Sequence, residues 1–196
     1  MKVGLAKEFA IALLNSIYQL NDPCIKYLSD HIHFQKAKRD EFLLVPGQVS
    51  NRLYFIQKGL LRAYKLNTDT EVSVWFMKEK DFCTSVPSFY RQIASIEYIQ
   101  ALEDSELLYI TFEDYKHLCE HYMEFNFVAR ELITQYFLLW DELFDGIRMR
   151  SAMERYEWLL ANHPELLLRV PQKYLASYFD MTEVSFSKMK NKLIEK

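Results

Sequence analysis

The residues best placed to do chemistry lie near the C-terminal end, in the stretch V-P-Q-K-Y-L-A-S-Y-F-D-M-T-E-V-S-F-S-K-M-K-N-K-L that begins at Val170. Pro171 suits the first turn of a helix running to about Tyr178, with Leu175 as an inward anchor and Ala176 small enough for a second helix to cross closely. Phe179-Asp180-Met181 reads as the turn, with Asp180 where a left-handed residue is wanted and Asp is tolerated. Thr182 is a good N-cap for the second helix. Phe186, Met189 and Leu193 then recur on an inward face, leaving Glu183, Val184, Ser187, Lys188 and Asn191 outward. In a helix-turn-helix, this part of the second helix meets base edges in the DNA major groove. Lys188 could reach a guanine or a phosphate, and Ser185, Lys190, Lys192 and Lys173 suit phosphate contacts. The same spacing fits a generic helical hairpin, in which Glu183 complements the helix dipole and the lysines solubilise.

Charge distribution favours the first reading. The 196-residue chain carries a net charge of −3. Residues 148–196 nevertheless hold nine Lys and Arg against six Asp and Glu, whereas residues 1–147 hold fifteen against twenty-one. Screening makes local charge count more than the total, so a basic end on an acidic body can contact phosphates. Other chemistries find little footing. No G-x-S-x-G, Walker loop or H-E-x-x-H occurs, so no catalytic residue is assigned. Cys24, Cys83 and Cys119 lie far apart with no C-x-x-C, against a disulfide framework or a structural zinc. His117 and His121 have the i, i+4 spacing of two-His metal sites, but with no third ligand in view they read as a solvated helix face. His31 and His33 are isolated. No metal and no cofactor is expected.

The elements that must position these residues follow from periodicity. Half of the residues are hydrophobic, and only four glycines and five prolines occur, so a core is expected and long linkers are not. Leu5 to Leu20 reads as a helix, and Asp22-Pro23 opens a second with Asp22 as N-cap. Short apolar runs at 42–45, 53–57, 60–66, 71–77, 96–101 and 105–111 suggest an antiparallel barrel or sandwich. Thr111 and Asp114 resemble a capping box opening the next helix. From Glu124 to Arg148 a long helix is apolar on most sides, from Phe125 through Tyr136 and Trp140 to Ile147. Such a helix must bury more than one face, against an identical helix of a second subunit or wholly within its own chain. A further helix spans Ser151 to Asn162. The first twenty residues lack an unbroken apolar h-region, and no run of 18 apolar residues occurs, so no signal peptide, membrane span or membrane partner is expected and the setting is cytoplasmic.

Four segments carry a family resemblance: L-Y-F-I-Q-K-G-L-L-R-A-Y from Leu53, Q-A-L-E-D-S-E-L from Gln100, A-M-E-R-Y from Ala152, and the C-terminal stretch above. In this order they resemble the cyclic-AMP receptor protein/FNR family of bacterial transcription regulators, over nearly the whole chain. The resemblance implies an α+β fold: an N-terminal antiparallel β-roll of the cyclic-nucleotide-binding type with flanking helices (1–123), a long dimerisation helix (124–148) and a C-terminal helix-turn-helix DNA-binding domain of winged-helix type (149–196). It also implies a homodimer that binds an inverted repeat in double-stranded DNA. RNA polymerase and an unidentified small-molecule effector are candidate partners. The competing reading is a ligand-sensing or interaction module that has lost DNA binding, against which the Thr182 cap and outward Lys188 argue.

The sequence departs from the family in three places. Cyclic-nucleotide binders of the family hold the phosphate with a Gly-Glu pair and, about ten residues on, an Arg followed by Ser or Thr. Backbone amides and the Arg neutralise the phosphate while the Glu holds the ribose. The matching segment, Phe82 to Glu97, places Thr84 and Ser85 at Gly-Glu, and Ser95 and Ile96 at Arg-Ser, with Glu97 adding negative charge. Phe82, Cys83, Thr84, Ser85, Arg91 and Ser95 are the candidate effector-pocket residues. Arg91 is the only cation within the loop and is about four residues out of place, so tight binding of cyclic AMP or cyclic GMP is not expected. Three scattered cysteines cannot repeat the four-cysteine iron–sulfur site of FNR-like members. Cys83 is the best-placed redox sensor, but with no nearby cation it reads as a small buried hydrophobe. Finally, Glu183, Val184 and Lys188 stand where the family's best-known member has Arg, Glu and Arg, so a different DNA sequence is expected. A β-hairpin wing after the second helix is expected to be missing.

Overall fold

Why the middle of the chain forms a roll is clearest at its central strand. Ser105–Thr111 (β8) buries Leu107, Leu108 and Ile110 and is paired on both edges. None of its residues is exposed, and a strand covered on both faces reads as a mostly apolar run rather than a strict alternation. In a computed structural model that describes residues 3–194 (side chains of Met149, Leu193 and Ile194 excepted), β8 lies between His33–Ala37 (β1) and Arg52–Lys58 (β3), antiparallel to both. Phe82–Cys83 (β6) completes this four-stranded sheet in the order β1-β8-β3-β6. The second sheet has the order β2-β7-β4-β5, from Phe42–Leu44 (β2), Tyr98–Ala101 (β7), Leu61–Asn67 (β4) and Thr70–Met77 (β5). Together with the helices these two sheets make the α+β roll that the sequence leads one to expect. Gly59 closes the β3–β4 turn at φ +113, and a Cβ there would lie 2.1 Å from Ser105 Oγ, so the turn requires glycine twice over.

Helices cover one face of the first sheet. Val3–Ile17 (α1), Asp22–His31 (α2), Phe112–His121 (α4) and the start of Met123–Met149 (α5) meet β3 and β8 in one core that includes Ala6, Leu14, Leu28, Phe55, Leu108 and Val128. The N-cap of α2 is Asn21 rather than Asp22. Asn21 Oδ1 accepts the Cys24 amide at 2.9 Å, and Asp22 falls in the first turn, where its charge suits the positive end of the helix dipole. The Thr111–Asp114 capping box opening α4 forms in both directions. Strand β1 and helix Val86–Arg91 (α3) are absent from the sequence reading. β1 is short and mixed, and α3 has six residues, too few for a period to show. The strand expected from Ile96 begins at Tyr98, because Ser95 and Glu97 turn into a buried polar network and leave Ile96 71 % exposed.

The chain forms two compact units: residues 1–63 with 76–136, and residues 64–75 with 137–196. The second contains the tip of the β4–β5 hairpin, the last half of α5, and Ala152–Asn162 (α6), Pro164–Arg169 (α7), Gln172–Tyr178 (α8) and Glu183–Ile194 (α9). α7, also absent from the sequence reading, is a six-residue helix with Pro164 in its first turn. α6 opens on a full capping box between Ser151 and Glu154. The hairpin tip belongs to this unit because Ser73 binds α8: its amide donates to Ser177 Oγ at 3.1 Å and its hydroxyl to Tyr174 O at 3.0 Å.

Candidate nucleic-acid interface and effector pocket

The turn between α8 and α9 has the expected chemistry. Asp180 takes φ +50, and the amides of Asp180 and Met181 close back onto Ser177 O and Ala176 O. Thr182 Oγ1 accepts the Ser185 amide at 3.1 Å, capping α9, whose first residue Glu183 brings an acid to the positive helix end. Phe186 is buried and meets Tyr156 of α6 edge-on, ring centroids 5.1 Å apart. Anchoring Phe186 fixes the rotation of α9 about its axis. Thr182, Glu183, Val184, Lys188, Lys190 and Asn191 are consequently exposed, Val184 by 65 %, while Ser185 and Ser187 are half-buried. Lys173 is exposed on α8 with its Nζ 4.8 Å from the Tyr174 ring centroid. Gln172 Nε2 ties the start of α8 to Glu183 O at 3.3 Å. The inward position expected of Leu193 lies outside the described side chains. The surface so assembled offers donors and cations on one short capped helix, a set suited to phosphates and base edges.

One residue of this region was missed by the sequence reading. Arg155, half-buried on α6, donates from Nε to Arg150 O at 3.0 Å, and from Nη1 to Phe179 O at 2.7 Å and Asp180 O at 3.2 Å. The only local signal was its place in A-M-E-R-Y.

The candidate effector pocket forms a closed polar network. Ser85 Oγ donates to Glu97 Oε2 at 2.5 Å. Ser95 Oγ accepts the Glu97 amide at 2.9 Å, and has Ser85 Oγ and Glu97 O each at 3.2 Å for its own proton. A second chain runs from the Ser85 amide to Ser50 Oγ, on to Thr84 Oγ1 at 3.0 Å, and ends at Arg52 O, another 3.0 Å away. Ser88 Oγ accepts the Ser50 amide and donates to Ile93 O. Ser50, Ser85, Ser88, Ser95 and Glu97 are all buried. An anionic phosphate placed among these groups would meet the Glu97 carboxylate, and would have to break hydrogen bonds already made in a low-dielectric interior. Arg91 does not join the network. It is exposed in the last turn of α3.

Phe82 and Cys83 are held from other directions. The Phe82 ring packs on Phe55 at 5.3 Å, and its amide donates to Tyr136 Oη of α5 at 2.7 Å. Burial pushes the Tyr136 hydroxyl up. Cys83 is buried, and desolvation, then the charges of Asp81 and Glu97, push its thiol far above the ordinary range. Such a thiol is a poor nucleophile and a poor redox sensor. His117 and His121 stack at 4.1 Å, with Tyr27 stacked on His117 at 4.4 Å and on His31 at 3.8 Å. No group of three or more His, Cys, Asp or Glu able to hold a metal occurs among the described residues. No described helix is long and apolar enough to cross a membrane.

Comparison with known proteins agrees with this architecture. Residues 34–122 match the family model described as cyclic nucleotide-binding domain. A structure assigned as a transcriptional regulator of the crp/fnr family from Eubacterium rectale is 21 % identical, with a TM-score of 0.73, covering 90 % of this chain and 85 % of that one. FixK2 from Bradyrhizobium japonicum is 18 % identical, with a TM-score of 0.70, covering 84 % and 85 %. The c-di-GMP responsive global regulator CLP of Xanthomonas campestris is 15 % identical, with a TM-score of 0.69, covering 89 % and 92 %. A comparison with curated protein sequences finds no match. The resemblance drawn from the four sequence segments is thereby borne out, and at these identities the structures speak to the fold.

Proposed function

We propose that this chain is a homodimeric, sequence-specific DNA-binding transcription regulator of the cyclic-AMP receptor protein/FNR type, not controlled by cyclic AMP. The division is a sensor roll over 1–123, a dimerisation helix over 124–148 and a helix-turn-helix over 149–196. The observation that carries this reading is α9: capped by Thr182, anchored by buried Phe186, and exposing Glu183, Val184, Lys188 and Asn191. Glu183, Val184 and Lys188 take the base edges, with Ser187 and Asn191 beside them. Lys173, Thr182, Ser185 and Lys190 take phosphates. The partner is an inverted repeat in duplex DNA, with RNA polymerase as a candidate protein partner. No catalytic role is assigned. Selection from random duplexes at low salt tests the reading: enrichment of an inverted repeat is expected, and no enrichment overturns it in favour of a module without DNA binding. Lys188→Ala should cost about 1–3 kcal/mol on the selected site, as for a lost base contact.

Independence from cyclic AMP is supported by the Ser85–Glu97–Ser95 network, which occupies the positions that the family resemblance aligns with the phosphate-binding residues. A structural relative, CLP, is described as c-di-GMP responsive, so a roll of this shape is not tied to one effector. Calorimetry with cyclic AMP and cyclic GMP should detect no binding at micromolar concentrations, and micromolar or tighter binding overturns the point.

A further inference from the structure

We infer that Arg155 is the positioning residue that holds the α8–α9 turn in register with the α5–α6 junction, and so sets how α9 is presented. The inference rests on the DNA-binding reading above and adds the means by which the reading helix is fixed.

Geometry carries it. Arg155 Nη1 reaches two consecutive carbonyls, Phe179 O and Asp180 O, just past the end of α8. Carbonyls at a helix C-terminus have no partner inside the helix and sit at its negative end, where a cation is favoured. The same guanidinium donates from Nε to Arg150 O, in the two-residue link between α5 and α6. One rigid planar fork thus joins two backbone segments that lie 29 to 30 residues apart in the chain. Trp158, one turn along α6, repeats the bridge through its ring, which meets Phe179 edge-on at 6.1 Å and takes the Arg150 guanidinium over its face at 5.5 Å. The clasped turn is the most conformationally demanding point of the region, since Asp180 holds φ +50 without being glycine. Releasing it frees the angle between α8 and α9, while buried Phe186 still fixes the rotation of α9 about its own axis. Arg155 therefore acts on sequence selectivity through backbone position, with its Nε and Nη1 donors on carbonyls rather than on phosphate.

Hydrogen exchange and DNA titration on the full-length protein test this with Arg155→Met and Arg155→Lys. Lysine keeps the charge but not the fork, and guards against a methionine variant that fails to fold. The Asp180 and Met181 amides, bonded to Ser177 O and Ala176 O, should exchange roughly tenfold or more faster in Arg155→Met, as for loss of a charge-assisted hydrogen bond, and less so in Arg155→Lys. Amides of β3 and β8 should not change. The ratio of specific to non-specific DNA affinity should fall about tenfold, while the salt dependence keeps its slope. Unchanged exchange at the turn overturns the inference whatever the DNA result. A slope reduced by about one with selectivity intact makes Arg155 a phosphate contact, and also overturns it. If the unmodified protein selects no sequence, the DNA-binding reading fails, and the exchange measurement alone then upholds or overturns the clasp.

Discussion

At the scale of single residues, the pocket is defined by what its side chains already bind. Ser85 heads α3 without capping it, spending its hydroxyl on Glu97 instead. Ser85→Ala removes a buried donor from a carboxylate, and should lower unfolding stability by about 1.5–3 kcal/mol, the range for hydrogen bonds to charged groups. Chemical denaturation reads this directly, and a change below about 0.5 kcal/mol would show the network to be energetically idle. Cys24 makes a second case. Desolvation, with the Glu124 charge adding to it, pushes its thiol from 9.0 up to about 12. Above pH 9 the unfolded chain loses this proton while the folded one retains it, so alkali favours unfolding. The contribution is whole below pH 9 and declines until about pH 12. Thermal midpoints should fall over that window, and fall less in Cys24→Ala. Equal slopes in both proteins would assign the alkaline loss to the tyrosines, several of which burial also raises.

At the scale of elements, local chemistry was legible and distant chemistry was not. The α8–α9 turn could be read because each of its demands falls on a neighbour: Asp180 for the left-handed residue, Thr182 for the cap, Phe186 for the anchor. The Thr111–Asp114 box was legible for the same reason. β8 appeared at its true bounds because its apolar content is dense. α3 and α7 escaped because six residues give less than two turns. At α2 the cap was read one residue late, since Asn21 and Asp22 are both good caps and only the Cys24 amide decides between them. The Arg155 clasp and the Ser73–Ser177 bond were invisible because they join residues 24 to 25 and 104 apart, and no local pattern encodes such partners. The legible cap is also the testable one. Thr182→Ala should cost about 1 kcal/mol, the usual worth of an N-cap, and should weaken DNA binding by fraying the first turn of α9. Thr182→Asn should restore both. An alanine variant with unchanged stability and affinity would remove Thr182 from the interface.

At the scale of the whole molecule, α5 decides whether one chain suffices. Phe125, Val128 and Ala129 are buried, yet Ile133, Phe137, Trp140 and Phe144 are exposed by 48, 62, 47 and 39 %. Their spacing of four, three and four is that of a coiled-coil seam, which an identical helix fits by symmetry. A stripe of large apolar side chains left in water is what a monomer avoids. The wild-type chain should therefore sediment as a dimer, and Trp140→Glu, which buries a charge in the seam, should give a monomer of unchanged secondary structure. The consequence for DNA is geometric. Two copies related by a twofold axis present two α9 helices, so the selected half-sites should lie about one helical turn apart. Inserting about five base pairs between them turns one half-site to the opposite side of the duplex. The dimer should then lose its advantage and bind no better than the Trp140→Glu monomer binds a single half-site. Both forms should weaken with salt, with the dimer's log–log slope about twice the monomer's, because twice as many phosphates are neutralised. A dimer indifferent to the insertion would mean that its two α9 helices do not read DNA together.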